Sequence, residues 1–109
     1  MGGVVRVLQV GIGAIGSEVV RLLAEDPRYR IVGAVDVDPR KAGRDLGEAA
    51  GLGRELGVTV SADLARALAE SDAQVAVHTA GSRLEAEADA LFLALRHGLH
   101  VLSTCEQLS

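Results

Sequence analysis

The turn Gly11-Ile12-Gly13-Ala14-Ile15-Gly16 has the residue types and spacing to hold a dinucleotide pyrophosphate. The first glycine permits a tight turn, the second lets main chain approach the phosphates, and the third lets a helix pack closely on a strand. An apolar run, Val4 to Val10, precedes the turn and a helix-patterned stretch, Ala14 to Glu25, follows it. N–H groups of the first helical turn would therefore face the anion with a partial positive charge. Such a glycine pattern recurs in unrelated folds, so its context decides its meaning. Asp36 supplies that context. It follows the apolar run Ile31 to Val35, about 20 residues after Gly16, where a carboxylate accepts hydrogen bonds from adenosine ribose hydroxyls and repels a 2′-phosphate. Arg40 and Lys41 lie just beyond and would suit that phosphate. The cofactor is read as NAD or NADP, with NAD or dual use favoured. The plainer alternative makes Asp36, Asp38 and Pro39 a polar turn that ends the strand.

A second group of candidates is His78-Thr79-Ala80-Gly81-Ser82. It is small and polar where the chain passes the nicotinamide end of a dinucleotide, so Thr79, Ala80 and Gly81 are expected to bind cofactor. Ser82 suits the N-cap of a following helix, and His78 is read as locally hydrogen-bonded rather than as an acid or base. Cys105 could serve as the thiolate of an aldehyde-oxidising enzyme, but no partner histidine is identifiable and a small buried thiol is the default. Glu106 either meets a cationic amine or is solvated. No metal site and no catalytic residue is expected.

The elements that must position these residues alternate strand and helix. Strands are expected at Val4–Val10, Arg30–Val35, Val58–Val60, Gln74–His78 and Leu99–Leu102. A helix from Ala14 to Glu25 should carry Ile15, Val19 and Leu22 on one face and stop before Pro27. The glycine-rich segment Arg40–Gly57 reads as short helical turns and loop. A further helix runs through Leu64, Leu68 and Ala69 with Ser61 as its N-cap. Arg83 to His97 is strongly amphipathic and is closed by Gly98. This pattern predicts an α/β fold, a doubly wound parallel sheet of the Rossmann-like type in the order 3-2-1-4-5, forming one domain over residues 1–109.

At 109 residues the chain can bury a core, which must be aliphatic because aromatics are 2% of residues. The formal net charge is −4 with acids and bases interspersed, so nucleic acid is not an expected partner. No apolar run approaches the roughly 20 residues that span a bilayer, and the apolar N-terminus lacks the pattern of a signal peptide. A single cysteine fits the reducing cytoplasm, which is the expected location.

Four stretches together resemble the N-terminal nucleotide-binding domain of 2,4-diaminopentanoate dehydrogenase, in the wider dihydrodipicolinate reductase-like group. They are Val10–Gly16, then Asp36–Pro39 with Gly43-Arg44-Asp45-Leu46-Gly47-Glu48, then Val77–Ser82, and last Ser103-Thr104-Cys105-Glu106-Gln107-Leu108-Ser109. The first two are widespread among nucleotide-binding domains. The last is the more distinctive, being similar to the segment that leads into the substrate domain of the amine dehydrogenase. The resemblance implies NAD(P)-linked oxidative deamination of a diamine, or reduction of a related C=N compound. Such enzymes continue into a substrate domain, so this chain is expected to be a cofactor half with little turnover of its own. An exposed sheet edge would also make self-association into a homo-oligomer plausible. A competing reading from another class is a stand-alone nucleotide-sensing regulatory domain, which uses the same cradle.

Overall fold

The apolar runs become the strands of one parallel sheet, and buried residues of β1 to β4 pack into apolar clusters on both of its faces. In chain order the elements are β1 (Val5–Val10), α1 (Ala14–Ala24), β2 (Tyr29–Val35), α2 (Leu46–Ala49), β3 (Val60–Ser61), α3 (Leu64–Glu70), β4 (Val75–His78) and β5 (His100–Ser103). This is a computed structural model, and it describes residues 3–79, Gly98 and 100–103. The strand order is β3-β2-β1-β4-β5, with every pairing parallel. The expected architecture is thus the observed one. Readings that fell on Ala80, Gly81, Ser82, the segment Arg83–His97, Leu99, Cys105 and Glu106 lie outside the described residues.

Two apolar layers flank the sheet. On the side of α1 and α2, Ile12, Val20, Ala34, Leu46 and Val60 form one cluster. On the side of α3, Leu8, Val10, Val35, Ala67, Leu68 and Ala76 form the other. The β1–β2 register slips between Val7 and Leu8. Leu8 there lies opposite Gly33, where a Cβ would come within 2.7 Å of its Cδ1 atom.

Three local expectations are corrected. The inward face of α1 carries Gly16 and Val20, whereas Ile15 and Leu22 are 42% and 56% exposed. The helix is phased by its glycine, since the helical period carries the side opposite Gly16 into solvent. The third strand begins at Val60 rather than Val58, because Val58 and Thr59 are engaged elsewhere. The Val58 carbonyl accepts from the Leu46 N–H at 2.7 Å, and Thr59 forms an isolated antiparallel bridge with Asp45. The N-cap of α3 is Asp63, whose carboxylate accepts from the Arg66 N–H. Ser61 sits in β3, and its hydroxyl accepts from the Asp63 N–H at 3.0 Å, turning the chain into that cap.

The register places the candidate residues side by side. Val10 is paired with Val35 on one side and with His78 on the other. The residues that follow these three positions are Gly11, Asp36 and Thr79, so three loops open at one edge of the sheet. Ligands in open α/β sheets bind at this carboxyl edge, where the strand order reverses. Among the described residues, no helix is long and apolar enough to cross a membrane.

Candidate functional site: a dinucleotide cradle

Gly11 leaves β1 with φ +98°, a left-handed conformation that favours glycine. Its N–H still donates to the Val35 carbonyl at 2.8 Å. The chain then runs through buried Ile12 to Gly13, which is the N-cap of α1 and offers that helix no side-chain cap. The first turn of α1 has no acidic residue. Its N–H groups therefore meet neither a capping oxygen nor a competing carboxylate from their own helix.

The glycines divide the labour by geometry. A Cβ on Gly13 would meet nothing within 4 Å, so the space over it is open. A Cβ on Gly16 would lie 2.1 Å from the Gly11 carbonyl oxygen and 2.7 Å from the Thr79 hydroxyl. Only glycine lets α1 pack this closely on the turn. Ala14 and Ile15, the two other cradle candidates, are exposed at the start of α1.

Asp36, the candidate ribose carboxylate, braces the turn. Its Oδ2 atom accepts from the Ile12 N–H at 2.8 Å, and Oδ1 accepts from the Asp38 N–H at 2.9 Å. A carboxylate has about four acceptor sites, so capacity remains for ribose hydroxyls. Lys41 donates through Nζ to the Ile12 carbonyl, so its ammonium group lies against the cradle. Arg40 is turned to Asp38, which it meets at 3.0 Å with its side chain 86% exposed. The guanidinium of Arg40 holds the Asp38 carboxyl down to about 2.

Thr79 is 7% exposed, and its hydroxyl reaches the Gly11 carbonyl at 3.1 Å. His78, just before it, is 2% exposed. A cavity of about 400 Å³ lined by Ala24, Ile31, Leu56 and Val58 lies elsewhere. It faces the early part of β2, away from Asp36, and contributes nothing to the cradle. Among the described residues, no group of three or more His, Cys, Asp or Glu could hold a metal ion.

Two residues of structural consequence escaped sequence reasoning. Gln9 is fully buried beneath the turn, and its signal is being polar between Leu8 and Val10 in a strand that is otherwise apolar there. Asp45 caps α2 through the Gly47 N–H at 2.8 Å. It also accepts from the N–H groups of Leu56, Gly57 and Val58 at 2.8, 2.8 and 3.2 Å. Burial alone would push the Asp45 carboxyl up, but these four N–H donors outweigh it and hold the group below its ordinary value.

The dihydrodipicolinate reductase N-terminal family model matches residues 5–104. The chain belongs to this family. A curated relative, 4-hydroxy-tetrahydrodipicolinate reductase of Trichormus variabilis, is 40% identical over 52 residues, covering 48% of this chain and 19% of the relative. The enzyme of the same name from Prochlorococcus marinus is 38% identical over 64 residues, covering 59% and 22%. Among solved structures, an amine dehydrogenase from Mycobacterium smegmatis superposes with a TM-score of 0.83 at 36% identity, over 91% of this chain and 29% of that one. The WlbA dehydrogenase of Bordetella pertussis, solved with NADH and UDP-GlcNAcA, has a TM-score of 0.73 at 23% identity over 94% and 28%, and shows the fold alone.

The chain thus spans about a fifth of the curated relatives it matches. Family membership places it with the NAD(P)-binding domains of dihydrodipicolinate reductase-like oxidoreductases. That puts the oxidoreductase reading ahead of the regulatory one.

Proposed function

We propose that this chain holds NAD(H) or NADP(H) for an enzyme that interconverts an amine and a C=N compound. The observation that carries the reading is the pair of glycine environments. Gly16 is packed against the Gly11 carbonyl with no room for a Cβ, while Gly13 opens onto free space at the N-terminus of α1. Gly13 and the N–H groups of Ala14, Ile15 and Gly16 would hold the pyrophosphate, and Asp36 would take the adenosine ribose. Thr79, with Ala80 and Gly81 after it in sequence, is assigned to the nicotinamide side on this reading. A nicotinamide cofactor held there would supply hydride-transfer chemistry. The chain's own residues orient the cofactor, and the substrate and the groups that move protons belong to the rest of the enzyme. Support for amine or C=N chemistry comes from the family and from the 36% identity to an amine dehydrogenase. Ser103–Ser109 is the lead-in to the substrate domain on this reading.

Gly13→Val is the direct test. Its backbone, at φ −87° and ψ −154°, accepts an L residue, and its Cβ has room. The variant should melt within about 5 °C of the parent, since it disturbs no packing and loses only a better N-cap residue. It should lose NADH affinity by roughly 100-fold, because two branched methyl groups occupy the phosphate space. Unchanged affinity would remove the cradle assignment.

Cofactor preference depends on the charge at Asp36. Asp36→Asn keeps an oxygen for the Ile12 N–H but no longer repels a 2′-phosphate, and Lys41 stands beside the same turn. The ratio of NADP to NAD affinity should rise about tenfold, as a lost like-charge contact of about 1.4 kcal/mol implies. Titration with both cofactors reads this directly, and an unaltered ratio would show that Asp36 does not meet the ribose.

A further inference from the structure

Gln9 is a buried amide at 0% exposure, facing Ala34 and Val77 across the sheet. Its Oε1 atom has no hydrogen-bond partner. Burying an amide with half its capacity unmet is unfavourable, and an apolar side chain would fill the same space without that cost. The compensation lies in its donor group. Nε2 donates to the Gly11 carbonyl at 2.9 Å and to the Thr79 hydroxyl at 3.0 Å. That hydroxyl donates in turn to the Gly11 carbonyl at 3.1 Å. Amide, hydroxyl and carbonyl close a triangle in the interior, out of reach of any ligand at the surface.

The triangle joins the two loops that flank the cradle. Gly11 is the first residue of the glycine turn, and Thr79 is the first residue after β4. Gly16 packs on two of the three corners, the Gly11 oxygen and the Thr79 hydroxyl. A rotation of the Gly11–Ile12 peptide would therefore break the triangle and lift α1 from its seat.

We propose that Gln9 and Thr79 are a positioning pair that locks the Gly11 carbonyl, ties the glycine turn to the loop after β4, and presets the phosphate-facing end of α1 before cofactor arrives. The geometry of the lock stands by itself, and its consequence for binding rests on the dinucleotide reading above. A preset turn needs no ordering when the ligand binds, which raises affinity without a new contact. Neither side chain need touch the cofactor.

Two variants and one rescue test this. Gln9→Met keeps the shape and removes the donor, Thr79→Val removes the hydroxyl, and Thr79→Ser restores it. Amide hydrogen exchange in the ligand-free chain reads the lock without any cofactor. In Gln9→Met and Thr79→Val, exchange at the Ile12 and Thr79 N–H groups should quicken at least about tenfold, as expected when about one hydrogen bond's net stabilisation is lost locally. Leu46, whose N–H is bonded to the Val58 carbonyl, should be unaffected, and Thr79→Ser should match the parent. NADH affinity should fall in the same two variants by about tenfold.

Unchanged exchange at Ile12 and Thr79 overturns the lock, whatever happens to binding. Faster exchange everywhere, Leu46 included, reduces the pair to general fold stability and also overturns it. Local quickening with undiminished NADH affinity overturns the presetting role. A parent chain that binds no NADH overturns the dinucleotide reading and the presetting claim, while exchange still decides the lock. Should Gln9→Met fail to fold, Thr79→Val and its serine rescue decide the matter alone.

Discussion

Replacing Gly16 by alanine should cost both the stability of the domain and its hold on cofactor. The added methyl would stand 2.1 Å from the Gly11 carbonyl oxygen and 2.7 Å from the Thr79 hydroxyl. The nearer neighbour is backbone and belongs to a turn already held by the Val35 carbonyl, so it cannot step aside as a flexible side chain would. Either α1 lifts from the sheet or the turn reorganises, and overpacking of this kind costs about 3 kcal/mol. Both responses displace the first-turn N–H groups that are proposed to hold the phosphates. A melting temperature lowered by roughly 10 °C and an NADH affinity lowered at least about 100-fold are expected together. This coupling separates Gly16 from Gly13, whose substitution should spare the fold. An alanine variant with parental melting and binding would mean that α1 is not seated on the turn as described.

Asp45→Ala should be the most damaging change away from the cradle. One carboxylate gathers the N–H groups of Gly47, Leu56, Gly57 and Val58, and so folds the glycine-rich segment back on itself. It also seats α2, where a Cβ on Gly47 would lie 1.9 Å from the Arg54 carbonyl oxygen. Leu46, Leu52, Leu56 and Val58 from this segment cover one face of the sheet. Removing the carboxylate leaves four donors without their acceptor, and with partial rescue by water the loss should be about 3 kcal/mol. The same group makes stability depend on acid. Its folded value is depressed, so its contribution is complete above the unfolded value of about 4 and is lost as pH falls through the lower folded value. Thermal melts from neutral pH downward should show the parent losing this increment below about pH 4. The alanine variant, less stable throughout, should lack that component of the acid loss. Parallel pH profiles for the two proteins would contradict the assignment.

Much of this arrangement is legible in the residues themselves. The apolar runs, the glycine turn and the spacing to Asp36 lead to the strand order, because crossover handedness leaves few alternatives. What was not legible depends on contacts between distant positions. Asp45 reads as one acid in a loop, and its donors at Leu56, Gly57 and Val58 are brought to it only by the folded segment. The same contacts displace β3 to Val60–Ser61, since Val58 and Thr59 are committed before the strand starts. Along α1 the stripe of Ile15, Val19 and Leu22 reads as the inward face by hydrophobicity. Close approach to the Gly11 carbonyl overrides it and turns Gly16 inward instead. Gln9 is not legible because its strand reads as a buried run, and one amide does not interrupt that pattern.

The central claim is that the glycine turn is already shaped for a dinucleotide in this chain. Calorimetric titration of the purified chain with NADH, beside Gly13→Val under the same conditions, tests it most directly. Saturable binding of one NADH per chain, abolished or greatly weakened in the variant, is the predicted result. A folded chain that binds no NADH, or a variant that binds as tightly as its parent, would contradict it.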